Sequence, residues 1–327
     1  MMERKTKPQP HLFPIFGRAL MQNLGKVFKQ LRKAKHVSLS EATGGSFSTS
    51  MLSRFESGNH EISASKLLSA LENIHCTPSE FLFMANNYEN DALGELGKEI
   101  SAARENLPLS MALYNLTNLY KKECKRLAAL RVSGHGSVSS EQVKQTEQEC
   151  MIRIIILKSC MQGINDELTP TEEESEFFKK YLFGISSWGS YEISIFTWCV
   201  PLLSIRELVS YAKEAMRKID YLSGYLPIRN NVNALLLSCF TRCIDEGDFS
   251  NAAYFKKRLD SADISEHDTY LRTVYLWAQG NLDYKTGAHD EGSRLMRQAT
   301  QVFDFLGCTL LAGYYRRATA NTLASQD

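Results

Sequence analysis

The stretch Ser48-Thr-Ser-Met-Leu-Ser-Arg-Phe-Glu-Ser-Gly58 gathers hydroxyls, a thioether and a guanidinium into one short helical pattern. Ser48 suits an N-cap, and Leu52 with Phe55, at i and i+3, makes the better core-facing pair. Thr49, Ser50, Ser53 and Arg54 are then left on the outer faces, with Met51 beside them. Short hydroxyl side chains at a helix start allow close approach to a polyanion, and the positive end of the helix favours phosphate there. An arginine further along can reach a phosphate or the edge of a base. This chemistry is hydrogen-bond recognition. No phosphate loop, nucleophile elbow or paired-histidine metal motif occurs, and the seven histidines are dispersed, so an enzyme is the weakest of the function classes.

The elements that must position this stretch lie on both sides of it. A basic amphipathic helix is predicted over about Gln22–Lys35, with Leu24, Val27, Phe28 and Leu31 facing a core. Lys26, Lys29, Arg32, Lys33 and Lys35 occupy its other faces, where they form either a solvated surface or a phosphate-holding one. Arg32, Lys33 and Lys35 are the candidate phosphate contacts. Ser38-Leu-Ser-Glu41 is a capping box that starts a second helix, and Gly44-Gly45 stops it. Ser38 joins Ser48, Thr49, Ser50, Met51 and Arg54 as a candidate DNA contact. Two further capped segments follow, Ser63–Ile74 and the one opened by Thr77-Pro-Ser-Glu80, completing five helices by residue 85. Short helix, tight turn, short polar-faced helix is the pattern of a helix-turn-helix, whose second helix can enter a DNA major groove.

Charge separates this head from the rest. The chain of 327 residues carries a net charge of only +1. Residues 1–88 hold eleven Lys or Arg against six Asp or Glu, a net +5, and the remainder holds 27 against 31, a net −4. A basic head on an acidic body suits an anionic partner for the head alone. The eight cysteines form no C-x-x-C pair or zinc spacing and read as buried reduced thiols, with Cys239 and Cys243, one helical turn apart, a minor redox option. No cofactor or metal is expected. No apolar run reaches the ~18 residues of a membrane span, and the apolar run His11–Phe16 is too short and broken by Pro14 for a signal peptide. A cytoplasmic protein is the simplest expectation, with no membrane partner.

Residues 1–20, basic and without helical period, read as a disordered leader or a non-native start, 21–85 as the head and 86–91 as a linker. From 92 to 327 the pattern is helical, punctuated at stretches such as 133–140, Gly224–Pro227, Gly247-Asp248, Gly280-Asn281 and Gly287. Paired helices with tight turns predict a degenerate tetratricopeptide-like α-solenoid for regulation and dimerisation. The expected fold class is all-α: a five-helix lambda-repressor-like domain followed by that solenoid.

Leu24-Gly-Lys, Leu31-Arg-Lys, Leu52-Ser-Arg-Phe-Glu56 with Gly58, Ile62, Lys66-Leu-Leu68 and Ser79-Glu-Phe81 resemble the Rgg/GadR/MutR family of Gram-positive regulators. In the body, Asp248, Lys256-Lys-Arg-Leu-Asp260, Gly280, Tyr284-Lys-Thr-Gly287, Glu291-Gly292 and Phe305-Leu-Gly307 carry the same resemblance, which covers about 21–325. Family members commonly have glutamine where this chain has Met51, which leaves the operator sequence open. The resemblance implies a transcription factor whose helical-repeat domain binds a short, mostly hydrophobic signalling peptide.

A peptide with a free carboxylate and unpaired amides asks for Arg, Asn and aromatic walls on a concave helical surface. Arg153, Trp188, Tyr191, Trp198, Arg229, Asn230, Asn233 and Tyr270 supply those types. Each has a plain alternative: the aromatics as core, Asn230, Asn231 and Asn233 as caps, and Arg153 paired with Glu149 at i, i+4. The leading expectation is a homodimer on a near-palindromic double-stranded DNA operator, with peptide altering either the placement of two heads or their affinity for RNA polymerase. The competing class is a helical scaffold that uses the head as a protein–protein module.

Overall fold

The computed structural model describes residues 18–86, 92–105, 107–133, 140–219 and 226–324. Most of the expected leader 1–20 and linker 86–91, and parts of the turns at 133–140 and Gly224–Pro227, lie outside the described residues. Among those described, every regular element is helical. Internal contacts divide the chain into Met1–Glu95 and Leu96–Asp327.

The head consists of α1 (Arg18–Ala34), α2 (Leu39–Thr43), α3 (Thr49–Glu56), α4 (Ala64–Asn73) and α5 (Pro78–Ala85). The first helix begins at Arg18, four residues before its predicted start. Val27, Phe28, Leu52, Phe55, Leu71, Ile74 and Phe81 form one buried cluster, packed around by Leu24, Leu31, Ile62 and Leu67. Each of α2 to α5 has a hydroxyl N-cap, and those of α2 and α5 are reciprocal capping boxes with Glu41 and Glu80. Gly25 makes the tightest approach, because a Cβ there would fall on the carbonyl of Phe55. That glycine lets α1 and α3 touch backbone to backbone.

The body runs α6 (Ala92–Arg104), α7 (Leu109–Ser133), α8 (Ser140–Gln162), α9 (Glu172–Gly184), α10 (Ser190–Cys199), a 3-10 turn (Val200–Leu202), α11 (Ile205–Ile219), α12 (Leu226–Asp245), α13 (Phe249–Asp260), α14 (Thr269–Lys285), α15 (His289–Phe305) and α16 (Thr309–Ala324). Sequence neighbours pair, as α7 with α8, α12 with α13 and α14 with α15. Beyond those pairs, α8, α10, α12, α14 and α16 pack in succession, whereas α11, α13 and α15 make no comparable contact with one another. A layer whose members touch while the opposite layer splays is the inner side of a curved stack. Gly280 and Gly292 face each other where α14 crosses α15, and a Cβ on either would strike the opposing backbone.

All eight cysteines are free thiols, five of them buried. Burial pushes Cys243 up to about 12, Cys160 up to about 11, and Cys199 and Cys239 well above the ordinary thiol value. Such thiols stay protonated at neutral pH, which argues against redox chemistry at Cys239 and Cys243.

Candidate nucleic-acid interface and ligand groove

The outer face of α3 is built from its cap upward. Ser48 Oγ accepts from the Met51 N–H at 3.3 Å and lies 3.1 Å from Ser50 Oγ. Ser48, Thr49, Ser50, Ser53 and Arg54 are exposed, while Leu52 and Phe55 are buried. The face predicted for close approach is therefore presented intact. Met51 is half-buried, with Lys66 Nζ 3.3 Å from its sulfur. That places an ammonium from α4 beside the position where an amide side chain was expected. Lys66 was missed as a candidate because its spacing ties it to α4 and not to the recognition helix.

Arg32 requires a correction. It is 7% exposed, not solvent-facing. Its Nε and Nη2 donate to the two carboxylate oxygens of Glu56 at 2.6 and 2.8 Å, and Nη1 donates to the Val37 carbonyl at 2.7 Å. The hydrogen bond to Glu56 raises the already high pKa of the guanidinium. All three contacts are internal, so Arg32 locks the C-terminal turn of α1 onto α3 and holds no phosphate. Lys35 is exposed, but its Nζ donates to the His75 carbonyl at 2.6 Å, bracing the end of α4. That bond uses one of the three ammonium donors, so Lys35 stays exposed as a candidate phosphate contact while it braces the helix end. Lys33 is exposed and Ser38 forms the cap of α2 while remaining on the surface. The exposed candidates in this part of the head are thus Lys33, Lys35, Ser38 and the α3 face, without Arg32.

In the body the inner-layer helices carry nearly all the predicted groove residues: Arg153 on α8, Tyr191 and Trp198 on α10, Arg229, Asn230 and Asn233 on α12, and Tyr270 on α14. Trp188 precedes α10 and is corrected to core: it is 2% exposed, with its ring 5.7 Å from that of Phe196. Tyr191 and Tyr270 are exposed and Trp198 is half-buried. Asn230 is exposed, and Arg229 Nη1 pairs with Asp263 at 2.5 Å. The capping role weighed for the asparagines is corrected, because α12 begins at Leu226 and all three lie inside it; Asn231 instead donates to Ser190 Oγ and Ser194 Oγ at 2.7 and 3.1 Å and bridges α12 to α10. Asn233 is 3% exposed, whereas the buried polar atoms left without a partner among the described residues include Trp188 Nε1 and Gln162 Oε1.

Arg153 sits in a helix buried on nearly every face, between Ile152 and Ile154. Its side chain is 11% exposed and pairs with Glu99 of α6 at 2.5 Å and with Glu123 of α7 at 3.0 Å. The local pair with Glu149 is not its principal one. Glu123 also approaches Arg126 at 3.6 Å, and Glu99 approaches Lys122 at 3.6 Å. Glu99 and Glu123 were missed because their partner is 30 or more positions away in sequence; only the charge stranded in an apolar helix hinted that carboxylates must come from elsewhere.

A helix-turn-helix head with an exposed Ser/Thr/Arg face, carried on a helical-repeat body, defines a helix-turn-helix transcriptional regulator. Residues 137–317 match the model of the C-terminal domain of the HTH-type transcriptional regulator Rgg, and the chain belongs to that family. Solved structures share its fold. The SHP pheromone receptor Rgg2 of Streptococcus dysgalactiae is 24% identical, with a TM-score of 0.66 over 91% of this chain and 99% of that one. A protein of Listeria monocytogenes EGD-e is 19% identical, with a TM-score of 0.71 over 94% of this chain and 99% of that one. PrgX in its complex with cCF10 is 17% identical, with a TM-score of 0.66 over 92% of this chain and 98% of that one. At these identities the likeness speaks for the fold.

Proposed function

We propose that this regulator is switched by a short hydrophobic peptide held on the inner face of its body, and that it acts on DNA in the cytoplasm as a homodimer. Asn233 carries the peptide reading. Its amide lies on α12 in the inner layer, little exposed, and a ligand's peptide bond offers the donor and acceptor that such an amide pairs with. Tyr191, Trp198 and Tyr270 on neighbouring inner helices supply aromatic walls. The Rgg2 and PrgX structures support the reading, one described as a pheromone receptor and the other solved as a complex with cCF10. Two heads per dimer would place two copies of α3 about one DNA turn apart on a near-palindrome. A ligand shifts such an equilibrium only through its differential affinity for the two states.

The test is retention of ligand by the full chain. Protein is incubated with the peptide fraction of conditioned medium, washed and denatured, and the released peptides are identified by mass spectrometry. The wild type is expected to retain a short hydrophobic peptide that Asn233→Ala releases during washing. Equal retention by both proteins, or by neither, contradicts the assignment.

A further inference from the structure

The ion pairs around Arg153 tie together two helices with different jobs. Arg153 lies on α8, in the inner layer, and Glu99 lies on α6, the first helix after the head in the chain. The two carboxylates on Arg153 are not equivalent. Glu123 is 4% exposed, and Arg126 also approaches it. Glu99 is 35% exposed, its other cationic neighbour being the surface residue Lys122. Expelling Glu123 would strand a buried charge, whereas expelling Glu99 returns a carboxylate to water that already reaches it.

We propose that Glu99 occupies, in the ligand-free protein, the seat on Arg153 that the terminal carboxylate of a bound peptide takes over. This inference rests on the peptide reading above and adds to it the chemistry of one end of the ligand and the residue that the ligand displaces. A third carboxylate cannot join Arg153 while both glutamates remain, because like charges so close repel strongly. The incoming group must therefore replace one, and Glu99 is the cheaper to release. Losing that pair loosens α6 from α8, with Leu96, Ile100 and Ala103 among the buried apolar anchors that remain. Glu99 is thus a positioning residue that selects for ligands with a free C-terminal acid.

The probes are synthetic octapeptides randomised over Ile, Leu, Val, Phe and Gly, made with a free C-terminal acid and as the amide. Binding to the full chain is measured for wild type and Glu99→Gln, and amide hydrogen exchange is followed across α6. Glu99→Gln is expected to bind the free-acid peptides about tenfold more tightly, with no gain for the amides, and to raise exchange in α6 without ligand. In the wild type the free-acid peptides alone should raise α6 exchange. Equal gains for acid and amide, or α6 exchange unchanged by Glu99→Gln, overturn the proposal while leaving the peptide reading intact. Binding of neither form to either protein overturns both. A thermal melt of Glu99→Gln within a few degrees of wild type shows that the near-isosteric change left the fold in place.

Discussion

Two arginines in the head have opposite fates, and their positions explain them. Arg54 leaves α3 on the side away from Leu52 and Phe55 and remains exposed. Arg32 follows Phe28 by one helical turn, on the face that the core claims, and Glu56 follows Leu52 by the same turn. The pair was not read from the sequence, because helical spacing marked Arg32 only as one cation among several and its partner lies on another helix. Removing one partner of such a buried pair typically costs about 3–5 kcal/mol. Arg32→Ala should therefore lower the melting temperature of the head, seen by hydrogen exchange over α1–α3, whereas Arg54→Ala should leave it unchanged. Arg54→Ala should instead weaken operator binding by roughly 1–3 kcal/mol if it reads a base, with relaxed preference at one position. Lys33→Ala should weaken binding evenly across sequences and reduce the salt slope by about 1.

At the scale of elements, the turns and caps were the most readable features. Hydroxyl caps, two capping boxes and the stops at Gly44-Gly45, Gly58, Gly247 and Gly287 sit where the sequence puts them, but Gly280-Asn281, read as a break, lies inside α14, where the glycine serves helix packing and not a turn. Two helix ends use histidine instead: His36 and His75 have φ of 56° and 51°, with Val37 and Cys76 donating back to Arg32 and Leu71. Glycine accepts that conformation without the Cβ penalty, so His75→Gly should raise stability by about 0.5–1 kcal/mol in a denaturant titration. Glu41 and Glu80 are held below the usual carboxylate range by their hydrogen bonds to Ser38 and Thr77. A depressed carboxylate contributes stability above its unfolded pKa and loses it as pH falls through the folded value. The head's melting temperature should thus fall on acidification below about pH 4.5, given an unfolded glutamate near 4.3, and Glu41→Gln with Glu80→Gln should flatten that fall. In the body, Gly280→Ala forces α14 off α15 and should cost roughly 1–3 kcal/mol, as overpacking does. Its need for glycine was not readable from the cadence of turns, because it depends on Gly292 meeting it across the crossing.

For the whole molecule, division of charge and repetition of helix pairs were visible before any coordinates, since both are sums over many residues. The partners of single groove residues were not. Arg153, Trp188 and Asn233 stand in similar apolar stretches of sequence, yet one is clamped by distant glutamates, one is core, and one is a buried amide on an inner helix. Helical period places a residue on a face; what opposes that face is a property of the folded chain. The account joins a DNA-reading α3 to a ligand-reading inner layer within one polypeptide. Its most direct test is sequencing of the DNA enriched by the full chain, with and without conditioned medium, for wild type, Arg54→Ala and Asn233→Ala. The account predicts a near-palindromic site for the wild type, lost or relaxed with Arg54→Ala, whose occupancy changes with medium in the wild type but not in Asn233→Ala. Enrichment of one site to the same extent with and without medium, or of no defined site, would contradict it.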